Sequence, residues 1–457
     1  MSATPPFQAW LELQYGRSAH AMLRSISAVN LSKPRFGRTV TAARGSVLAS
    51  PILAAYDPDP DYFFHWYRDA AVVMDALRLL DEDGTAGAAP RIRFGEFVAF
   101  ELALASLDGR TLAADWRRGI EPRLAPFARP DAELTDVHGA AVAAETRVNP
   151  DGTLDLLRWP RPQHDGSALR ALTLLRWRRG RAFEPELARA LERLLRIDLE
   201  FVRTHWHLPC FDMWEEELGL HYYVLCVSAA ALEAGAQWLT ERGELAAAER
   251  DHATAQAIRR RLDSYWLAGA EHYRSRVLAD GSTSSKELDI AVLFGVVHAA
   301  APTAASLAPH ANPAPPHGPA DARIHATLAR LEALFDARYG INRQRPAFTA
   351  PAMGRYAEDV YFSGGAYYFS TLAAAELCFL SAEAFAAAPV RARDWLAHGD
   401  GFLRTVRRFT PPDGALSEQF DRDSGAQTSA RHLTWSYAAF ISALAARRRA
   451  RARLEGA

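Results

Sequence analysis

Carboxylate residues stand in three segments of the chain in which tryptophan, tyrosine and arginine are dense. They are Asp69, Glu215, Glu216 and Glu418. Aromatic rings pack against the apolar face of a sugar ring, and charged groups make paired hydrogen bonds with its hydroxyls. Cleavage of a glycosidic bond with inversion needs two carboxyl groups about 6.5–9.5 Å apart, one to protonate the leaving oxygen and one to activate water on the opposite ring face. These residue types therefore favour acid–base chemistry on a carbohydrate.

Six polar, aromatic segments interrupt an otherwise helical pattern, and each precedes a strongly apolar stretch. They are residues 61–69, 158–166, 211–219, 280–289, 354–365 and 415–425. Apolar residues recur at helical spacing elsewhere, and the best strand candidate, 46–53, is short. The stretches between these segments are long enough for two antiparallel helices each. We therefore predict an all-α fold, an (α/α)6 barrel of six inner and six outer helices, with the six segments gathered at one end.

The proline- and alanine-rich stretch 301–320 bears on domain organisation. Such a composition is typical of a linker between two domains. Because the stretch lies inside the series of six segments, we favour a long surface loop instead. We predict that 1–457 form a single barrel domain.

Composition limits the partners and the location of the protein. A formal net charge of −1 argues against binding to nucleic acid or to an anionic membrane. The first twenty residues have no cationic start followed by an apolar run, and no stretch reaches the roughly 18 apolar residues of a membrane span. We therefore predict a cytoplasmic protein that has neither a nucleic-acid nor a membrane partner.

Cysteine and histidine usage favours neither disulfides nor a metal. Cys210, Cys226 and Cys378 are odd in number and lack a C-x-x-C pattern, so we expect buried thiols. His205 and His207 lie near Asp212, but a third ligand at reliable spacing is missing. We predict no metal and no cofactor.

Five segments resemble, in order and in spacing, the signature segments of glycoside hydrolase family 15, the glucoamylases. The resemblance covers roughly Gly45 to Ala445 and lies in D-Y-F-F-H-W-Y-R-D (61–69), R-P-Q-H-D-G-S-A-L-R-A (161–171), F-D-M-W-E-E-E-L-G (211–219), G-R-Y-A-E-D-V-Y-F-S-G-G (354–365), and L-S-E-Q-F (416–420) followed by L-T-W-S-Y-A-A (433–439). It implies that Glu215 is the general acid and Glu418 the general base. The substrate-binding residues that it implies are Arg68, Asp69, Trp159, Arg161, Gln163, Trp214, Glu216, Arg355 and Trp435.

The family resemblance also implies a reaction. It is the exo-acting, inverting hydrolysis of α-glucosidic bonds, which releases β-glucose from the non-reducing ends of malto-oligosaccharides or related α-glucans. Glucans with α-1,6 linkages and trehalose are substrates within the same family. The chain starts close to the first barrel helix and ends soon after the last, so we expect neither an N-terminal β-sandwich nor a starch-binding domain. Departures from the family pattern at His65, Tyr67, His164 and 220–221 leave the substrate preference open.

Other interpretations of the same residues remain open at this point. The residues 215–217 could form an acidic helix start. Arg68 and Asp69 could be a structural ion pair in which Asp69 caps the following helix. Trp66, Trp159, Trp214 and Trp435 could be core aromatics. Two other classes of protein are an inverting phosphorylase, which uses phosphate in place of water and base, and a sugar-binding protein that has lost a carboxylate; the presence of both carboxylates favours the hydrolase.

Overall fold

The computed structural model describes residues 5–54, 59–300 and 316–456. These residues contain fourteen α-helices: α1 (Phe7–Leu23), α2 (Tyr67–Glu82), α3 (Ala89–Leu104), α4 (Asp131–Thr135), α5 (Asp165–Arg178), α6 (Pro185–His205), α7 (Tyr222–Glu241), α8 (Leu245–Asp263), α9 (Ala291–Ala299), α10 (Ala322–Arg338), α11 (Gly340–Arg343), α12 (Tyr368–Ala384), α13 (Pro389–Phe409) and α14 (Thr434–Glu455). The predicted surface loop 301–320 lies outside the described residues up to 315, and 316–320 form turns.

The strands among the described residues are only two to four residues long. They are β1 (Ser32–Arg35), β2 (Arg38–Thr41), β3 (His65–Trp66), β4 (Arg147–Val148), β5 (Cys210–Phe211), β6 (Leu218–His221), β7 (Trp266–Leu267), β8 (His272–Tyr273), β9 (Arg276–Leu278), β10 (Ala366–Tyr367), β11 (Gln419–Phe420) and β12 (Gln427–Thr428). Pairing is antiparallel in β1–β2, β3–β4, β5–β6, β7–β8 and β10–β11–β12. Four short 3₁₀ helices lie at Gly109–Thr111, Trp116–Gly119, Ala125–Phe127 and Gly139–Ala144.

No strand forms over the candidate stretch 46–53, where the only pairing is an isolated bridge between Val47 and Ile26. Three of its backbone N–H donors go to the segment 62–65, but one acceptor there is a side chain. Val47 donates to Nδ1 of His65 at 2.9 Å, the residues at 49 and 50 donate to the carbonyls of 64 and 62, and Leu48 donates to the carbonyl of Ser25. No single neighbouring strand supplies a continuous row of carbonyls, so a ladder cannot extend.

Each of the six polar, aromatic segments is followed by a helix. Segments 61–69 and 158–166 end inside the first turn of a helix, whereas the other four have one to eight residues between their end and the helix that follows. The helices are α2, α5, α7, α9, α12 and α14. α2, α5, α12 and α14 are buried on nearly all sides, whereas α6 and α13 bury only one face. The difference follows their sequences, because α6 and α13 carry charged residues along one side and α12 does not. The predicted order of segments and helices is therefore confirmed.

The chain divides into two compact units. Unit 1 comprises Met1–Ala21, His221–Val227 and Ala257–Ala457, and unit 2 comprises Met22–Leu220 and Ser228–Gln256. The prediction of a single domain over 1–457 stays a prediction.

In unit 2, α5 packs against α2 and α6, and α3 packs against α6. The ring of Trp177 on α5 stacks on Phe94 of α3 with centroids 4.2 Å apart, and its indole N–H donates to the carbonyl of Met74 at 2.9 Å. This satisfied, buried tryptophan ties three helices together. α5 is therefore held firmly along its length.

In unit 1, α12 packs against α9, α13 and α14. α13 approaches α12 closely at Gly399, where a β-carbon would lie within 3 Å of the ring of Phe379. This close contact holds the C-terminal half of α12 against α13.

No helix among the described residues combines the length and the apolar character needed to cross a bilayer. The three cysteines are buried and free, as predicted. Burial raises the pKa of the Cys226 thiol to about 12, and it raises the pKa of Cys210 and Cys378 as well. All three therefore stay protonated and serve as packing groups.

Candidate active site

Glu215 lies at the tip of a tight loop that the carboxylate of Asp212 holds together. Asp212 Oδ1 accepts the backbone N–H groups of Trp214 at 2.9 Å and Glu216 at 3.1 Å, and Oδ2 accepts that of Glu217 at 3.3 Å. The Glu215 N–H donates to the Asp212 carbonyl. Glu215 has φ of 67°, in the left-handed region that residues with a β-carbon rarely adopt. Such strain persists where the surroundings dictate it and is common at functional sites.

Three N–H donors from two other segments converge on the Glu215 carboxylate. Oε1 accepts from the indole of Trp66 at 2.8 Å and from Nη2 of Arg68 at 3.1 Å. Oε2 accepts from the indole of Trp159. The Glu215 side chain is only 12% exposed. The carboxylate is therefore fixed in one orientation. The interpretation of 215–217 as an acidic helix start is wrong, because α7 begins only at Tyr222.

Arg68 is itself fixed by two further acceptors in the first turn of α5 and just before it. Its Nη1 donates to Gln163 Oε1 at 3.0 Å and to Asp165 Oδ2 at 2.9 Å. Gln163 in turn donates to the carbonyl of Asp212 at 3.1 Å. One network thus connects the first turn of α2, the start of α5 and the Glu215 loop.

Asp69 is buried next to Arg68, with 3.7 Å between its Oδ2 and the Nε of Arg68. The interpretation of Asp69 as the cap of α2 is wrong. The N-cap residue is Trp66, which makes no side-chain capping hydrogen bond, and Asp69 lies inside the first turn. A carboxylate in the first turn still interacts favourably with the helix dipole.

Buried charged side chains contact the ring of Trp159. The guanidinium of Arg147 lies 3.6 Å from the centroid of the Trp159 ring and 4.8 Å from that of Trp66. Arg147 donates through Nε to Asp155 at 2.9 Å. Burial alone would raise the pKa of the Asp155 carboxyl, but Arg147 and Arg161 outweigh burial and lower that pKa. Asp155 therefore stays ionised and anchors both arginines.

The guanidinium of Arg161 also binds these buried charged side chains. Its Nε donates to Glu145 at 2.7 Å, Nη2 donates to Asp155 at 3.1 Å, and Nη1 donates to the carbonyls of Leu157 and Trp159. Burial would lower the pKa of Arg161, but Glu145 and Asp155 raise it. The guanidinium of Arg161 thus makes four hydrogen bonds to other groups of the protein.

Two predicted residues of the 211–219 segment, Trp214 and Glu216, lie half-buried in the loop. Their backbone positions are set by Asp212, as described above.

Two residues that depart from the family pattern, His65 and Tyr67, are buried. His65 contacts Glu101 through Nε2 at 3.0 Å and is 0% exposed. These two residues serve the packing of α2 and α3.

Glu418 belongs to the other unit, in the segment that precedes α14. It directly precedes β11 and is 8% exposed. The hydroxyl of Ser429 donates to its Oε2 at 2.5 Å, and the Glu418 N–H donates to the carbonyl of Ala430 at 2.8 Å. β11 pairs with β10 on one side and with β12 on the other. This pairing fixes the backbone at Glu418.

Arg355 lies in the same unit, clamped by Asp359. Its Nε and Nη2 donate to the two carboxylate oxygens of Asp359 at 2.7 and 2.5 Å, and Nη2 also donates to Tyr356 Oη at 3.2 Å. The hydroxyl of Tyr367 donates to Asp359 Oδ2 at 3.2 Å, and Gln419, next to Glu418, donates to the same hydroxyl at 2.7 Å. The Arg355 segment and the Glu418 segment are thereby connected.

Trp435, in the first turn of α14, is buried. Its ring stacks on Phe369 with centroids 4.7 Å apart and meets Phe294 edge-on at 5.5 Å. Its neighbour Ser436 donates to the carbonyl of Ser417 at 2.8 Å, directly before Glu418. Within this unit Trp435 is thus a packed aromatic, as the core interpretation expected.

In each unit, residues that bind or position the predicted side chains were not themselves predicted. Asp165 and Asp359 each bind an arginine, and Arg147 contacts the rings of two tryptophans. Asp212 shapes the Glu215 loop. Asp165 and Asp359 stand inside the recognised segments, so their motif positions could have indicated a role. Arg147 lies on β4, outside every recognised segment, and no pattern pointed to it. Among the described residues, no group of three or more His, Cys, Asp or Glu side chains is arranged to hold a metal ion.

Comparisons with known proteins identify the family of this chain. A family model described as glycosyl hydrolases family 15 matches residues 146–392 and 390–445. The glucoamylase of Neurospora crassa is 28% identical over 457 residues, which cover 90% of this chain and 64% of that protein. Glucoamylase 1 of Rhizopus oryzae is 26% identical, over 95% of this chain and 70% of that protein. The chain thus spans about two thirds of the length of these curated relatives.

A solved structure of a glycoside hydrolase family 15 glucoamylase from Hypocrea jecorina is similar over 97% of this chain and 72% of that one, with a TM-score of 0.78 and 24% identity. The likeness confirms the predicted all-α fold class, the (α/α)6 barrel. Fold and family match together define a glycoside hydrolase. The chain belongs to glycosyl hydrolases family 15, as the five segments indicated.

Proposed function

We propose that this protein is an inverting, exo-acting α-glucosidase that releases β-glucose from the non-reducing ends of malto-oligosaccharides or related α-glucans. The observation that carries the proposal is the Glu215 carboxylate, held by Trp66, Arg68 and Trp159 on a strained loop. A carboxyl group fixed by this many donors is pre-organised for a single proton transfer. Membership of a family of glycoside hydrolases supplies the class of bond.

In the proposed reaction Glu215 is the general acid. Its Oε1 already accepts two N–H donors, whereas Oε2 accepts only one. The transferable proton therefore belongs on Oε2, where a hydroxyl can accept from Trp159 and donate to the glycosidic oxygen. The bond from the anomeric carbon to that oxygen breaks as the proton arrives.

Glu418 is the proposed general base. It removes a proton from a water molecule while the water oxygen bonds to the anomeric carbon from the opposite face, which inverts the configuration. The Ser429 hydroxyl donates to Oε2 and so fixes the orientation of the carboxylate that accepts this proton. The pairing with β12 keeps the carboxylate on a rigid backbone.

The remaining predicted residues are proposed to bind the sugar. Arg68 and Asp69 would hold the terminal glucose and so limit attack to chain ends, and Gln163, Trp214, Glu216, Arg355 and Trp435 are the other residues assigned to the substrate. Trp159 would lie along it. Arg161 is better suited to positioning, because its guanidinium donates to Glu145, Asp155 and the carbonyl of Trp159 itself.

Linkage and location belong to the proposal too. Glucans with α-1,6 linkages and trehalose are the alternative substrates, and a cytoplasmic location stays a prediction, which fractionation of the native host would test.

Proton NMR of the first products tests the proposed reaction. With maltotriose and dextran the leaving group is an oligosaccharide, so the first glucose reports the stereochemistry, and we expect β-glucose to appear before its α-anomer from maltotriose. Maltose, isomaltose and trehalose also release a second glucose as the leaving group, so their total glucose tests the linkage alone. The same reactions run with inorganic phosphate would detect glucose 1-phosphate. α-Glucose as the first product from maltotriose, or a phosphate ester in place of glucose, would contradict the proposal.

Removing the Asp212 carboxylate should slow turnover although Asp212 is not assigned to touch the substrate. In Asp212→Ala the N–H groups of 214, 216 and 217 lose their acceptor, so the Glu215 loop can relax from its left-handed backbone. A misplacement of about 1 Å can cost about 10²-fold in rate. We expect kcat for maltotriose to fall by roughly that factor.

Asp212→Asn is the matched control for this prediction. It keeps an oxygen for the 214 and 216 N–H groups and replaces the oxygen that accepts from the 217 N–H, so its kcat should lie much closer to the wild type. Equal losses in both variants would contradict the positioning role and point to the charge of Asp212 instead.

A further inference from the structure

Arg147 is a wholly buried arginine that contacts both tryptophans of the Glu215 site. It is 0% exposed and stands on β4, where Trp66 of β3 is its partner in the register. Its guanidinium carbon lies 3.6 Å from the ring centroid of Trp159, 4.0 Å from that of Phe64 and 4.8 Å from that of Trp66. One cation therefore contacts three aromatic rings, all of them within unit 2.

The hydrogen bonds of Arg147 leave most of its guanidinium for these rings. Nε donates to Asp155 at 2.9 Å, whereas Nη1 and Nη2 have no hydrogen-bond partner among the described residues. Arg161, which binds the same Asp155, makes four hydrogen bonds. Buried donors normally find acceptors, because an unmade hydrogen bond costs free energy. The attraction between a desolvated cation and aromatic faces offsets that cost. An ion pair with Asp155 alone therefore does not explain the placement of Arg147.

The two indoles that Arg147 contacts are the two that donate to Glu215. Trp66 donates to Oε1 at 2.8 Å, and Trp159 donates to Oε2. Their rings meet nearly at a right angle, with centroids 6.2 Å apart and 78° between the planes. An indole N–H lies in the plane of its ring, so a tilt of either ring redirects its hydrogen bond to the carboxylate. A planar guanidinium packed against both rings opposes such a tilt.

We propose that Arg147 is a positioning residue, which holds both indoles in the planes from which they bind the Glu215 carboxylate. This inference rests on the proposed role of Glu215 as general acid. Arg147 acts through the two rings and not by contact with the substrate. Because a displacement of about 1 Å can cost about 10²-fold in rate, loss of Arg147 should impair the transfer of the proton to the leaving group.

Arg147→Met removes the planar cation and keeps a long, unbranched side chain. Asp155 retains Arg161 as a partner in this variant, so that no buried carboxylate is left unpaired. We expect kcat for maltotriose to fall by about 10²-fold. Hydrolysis of α-glucosyl fluoride should fall by less than about tenfold, because fluoride departs without needing a proton. Arg147→Lys restores the cation without its plane, so its kcat should lie between those of Arg147→Met and the wild type.

Arg35→Met is the matched control. Arg35 is also buried, and its guanidinium carbon lies 3.8 Å from the ring centroid of Phe64. It binds Asp61, which keeps Lys33 as a partner in the variant. In the described part of the chain, no contact joins Arg35 to either indole that binds Glu215. We therefore expect a kcat close to that of the wild type for both substrates, whatever the change in the temperature of unfolding.

NMR of protein labelled with ¹⁵N-tryptophan observes the two indoles without any hydrolysis. The chain has 11 tryptophans, and the variants Trp66→Phe and Trp159→Phe assign the two signals of interest. In Arg147→Met we expect both indole N–H proton signals to move upfield, because their hydrogen bonds to the carboxylate weaken. Both signals should stay in place in Arg35→Met. The other indole signals establish that each variant is folded.

Three results would each overturn the proposal. They are unmoved signals of both indoles in Arg147→Met, equal losses of kcat for maltotriose and α-glucosyl fluoride in that variant, and the same losses in Arg35→Met. If Arg147→Met fails to fold, Arg147→Lys decides by the same signals and the same pair of substrates. A wild type that does not hydrolyse maltotriose would contradict the proposed function instead, and the NMR comparison would still decide whether Arg147 holds the indoles.

Discussion

Glu418→Gln is expected to reduce kcat by about 10²–10⁴-fold, the range that a general base contributes. Glutamine preserves the shape of the side chain and can still accept the hydrogen bond from Ser429. It cannot take a proton from water at neutral pH. Because every substrate must be attacked by that water, we expect similar losses for maltose and for α-glucosyl fluoride, with KM changed much less than kcat.

The control for this variant is Glu455→Gln, a carboxylate at the exposed end of α14 in the same unit. It should hydrolyse both substrates at the rate of the wild type. Steady-state kinetics with both substrates, and thermal unfolding to establish that Glu418→Gln is folded, complete the measurement. Retention of more than about a tenth of the wild-type kcat would contradict the role of Glu418 as base.

The order of elements could be predicted because two patterns in the sequence agree. Helical apolar spacing gives the helices, and the aromatic, polar segments give the breaks between them. The structure starts a helix after each of the six segments. The strand candidate at 46–53 failed for a related reason: apolar β-branched residues show a preference, whereas a strand also needs a neighbour that supplies a row of acceptors. Val47 meets a histidine side chain instead.

The assigned carboxylates could be taken from the sequence together with Arg68 and Trp159, which bind one of them, whereas Asp212 and Arg147 could not. Trp214 followed by two glutamates indicated where the acid should stand. That Asp212 ties three backbone N–H groups depends on a turn in which Glu215 has positive φ, and such a turn has no periodic signature. Arg147 is still harder to predict, because it meets Trp66 only through the pairing of β3 with β4.

Arg161 illustrates that a motif position alone does not fix the role of a residue. The resemblance implies that Arg161 binds sugar. Its guanidinium donates to Glu145, Asp155 and two carbonyls, one of which belongs to Trp159. These contacts support a proposed role in positioning Trp159, which the sequence did not indicate.

Glu215→Gln should give a loss that depends on the leaving group. Without the acid, the glycosidic oxygen of maltose must depart without a proton, and we expect kcat to fall by about 10²–10⁴-fold. Fluoride departs without needing a proton, so hydrolysis of α-glucosyl fluoride should fall by less than about tenfold. This contrast with Glu418→Gln, which should affect both substrates alike, separates the acid from the base.

The surroundings of Glu215 add a complication that a second variant resolves. An amide nitrogen in place of Oε2 would face the indole N–H of Trp159, and two donors cannot bond to each other. If the amide turned round, its nitrogen would face Trp66 and Arg68 instead. Glu215→Ala removes this conflict along with the acid, so both variants should show the same dependence on the leaving group. Equal losses for maltose and α-glucosyl fluoride in both variants would mean that Glu215 positions the substrate and does not protonate it.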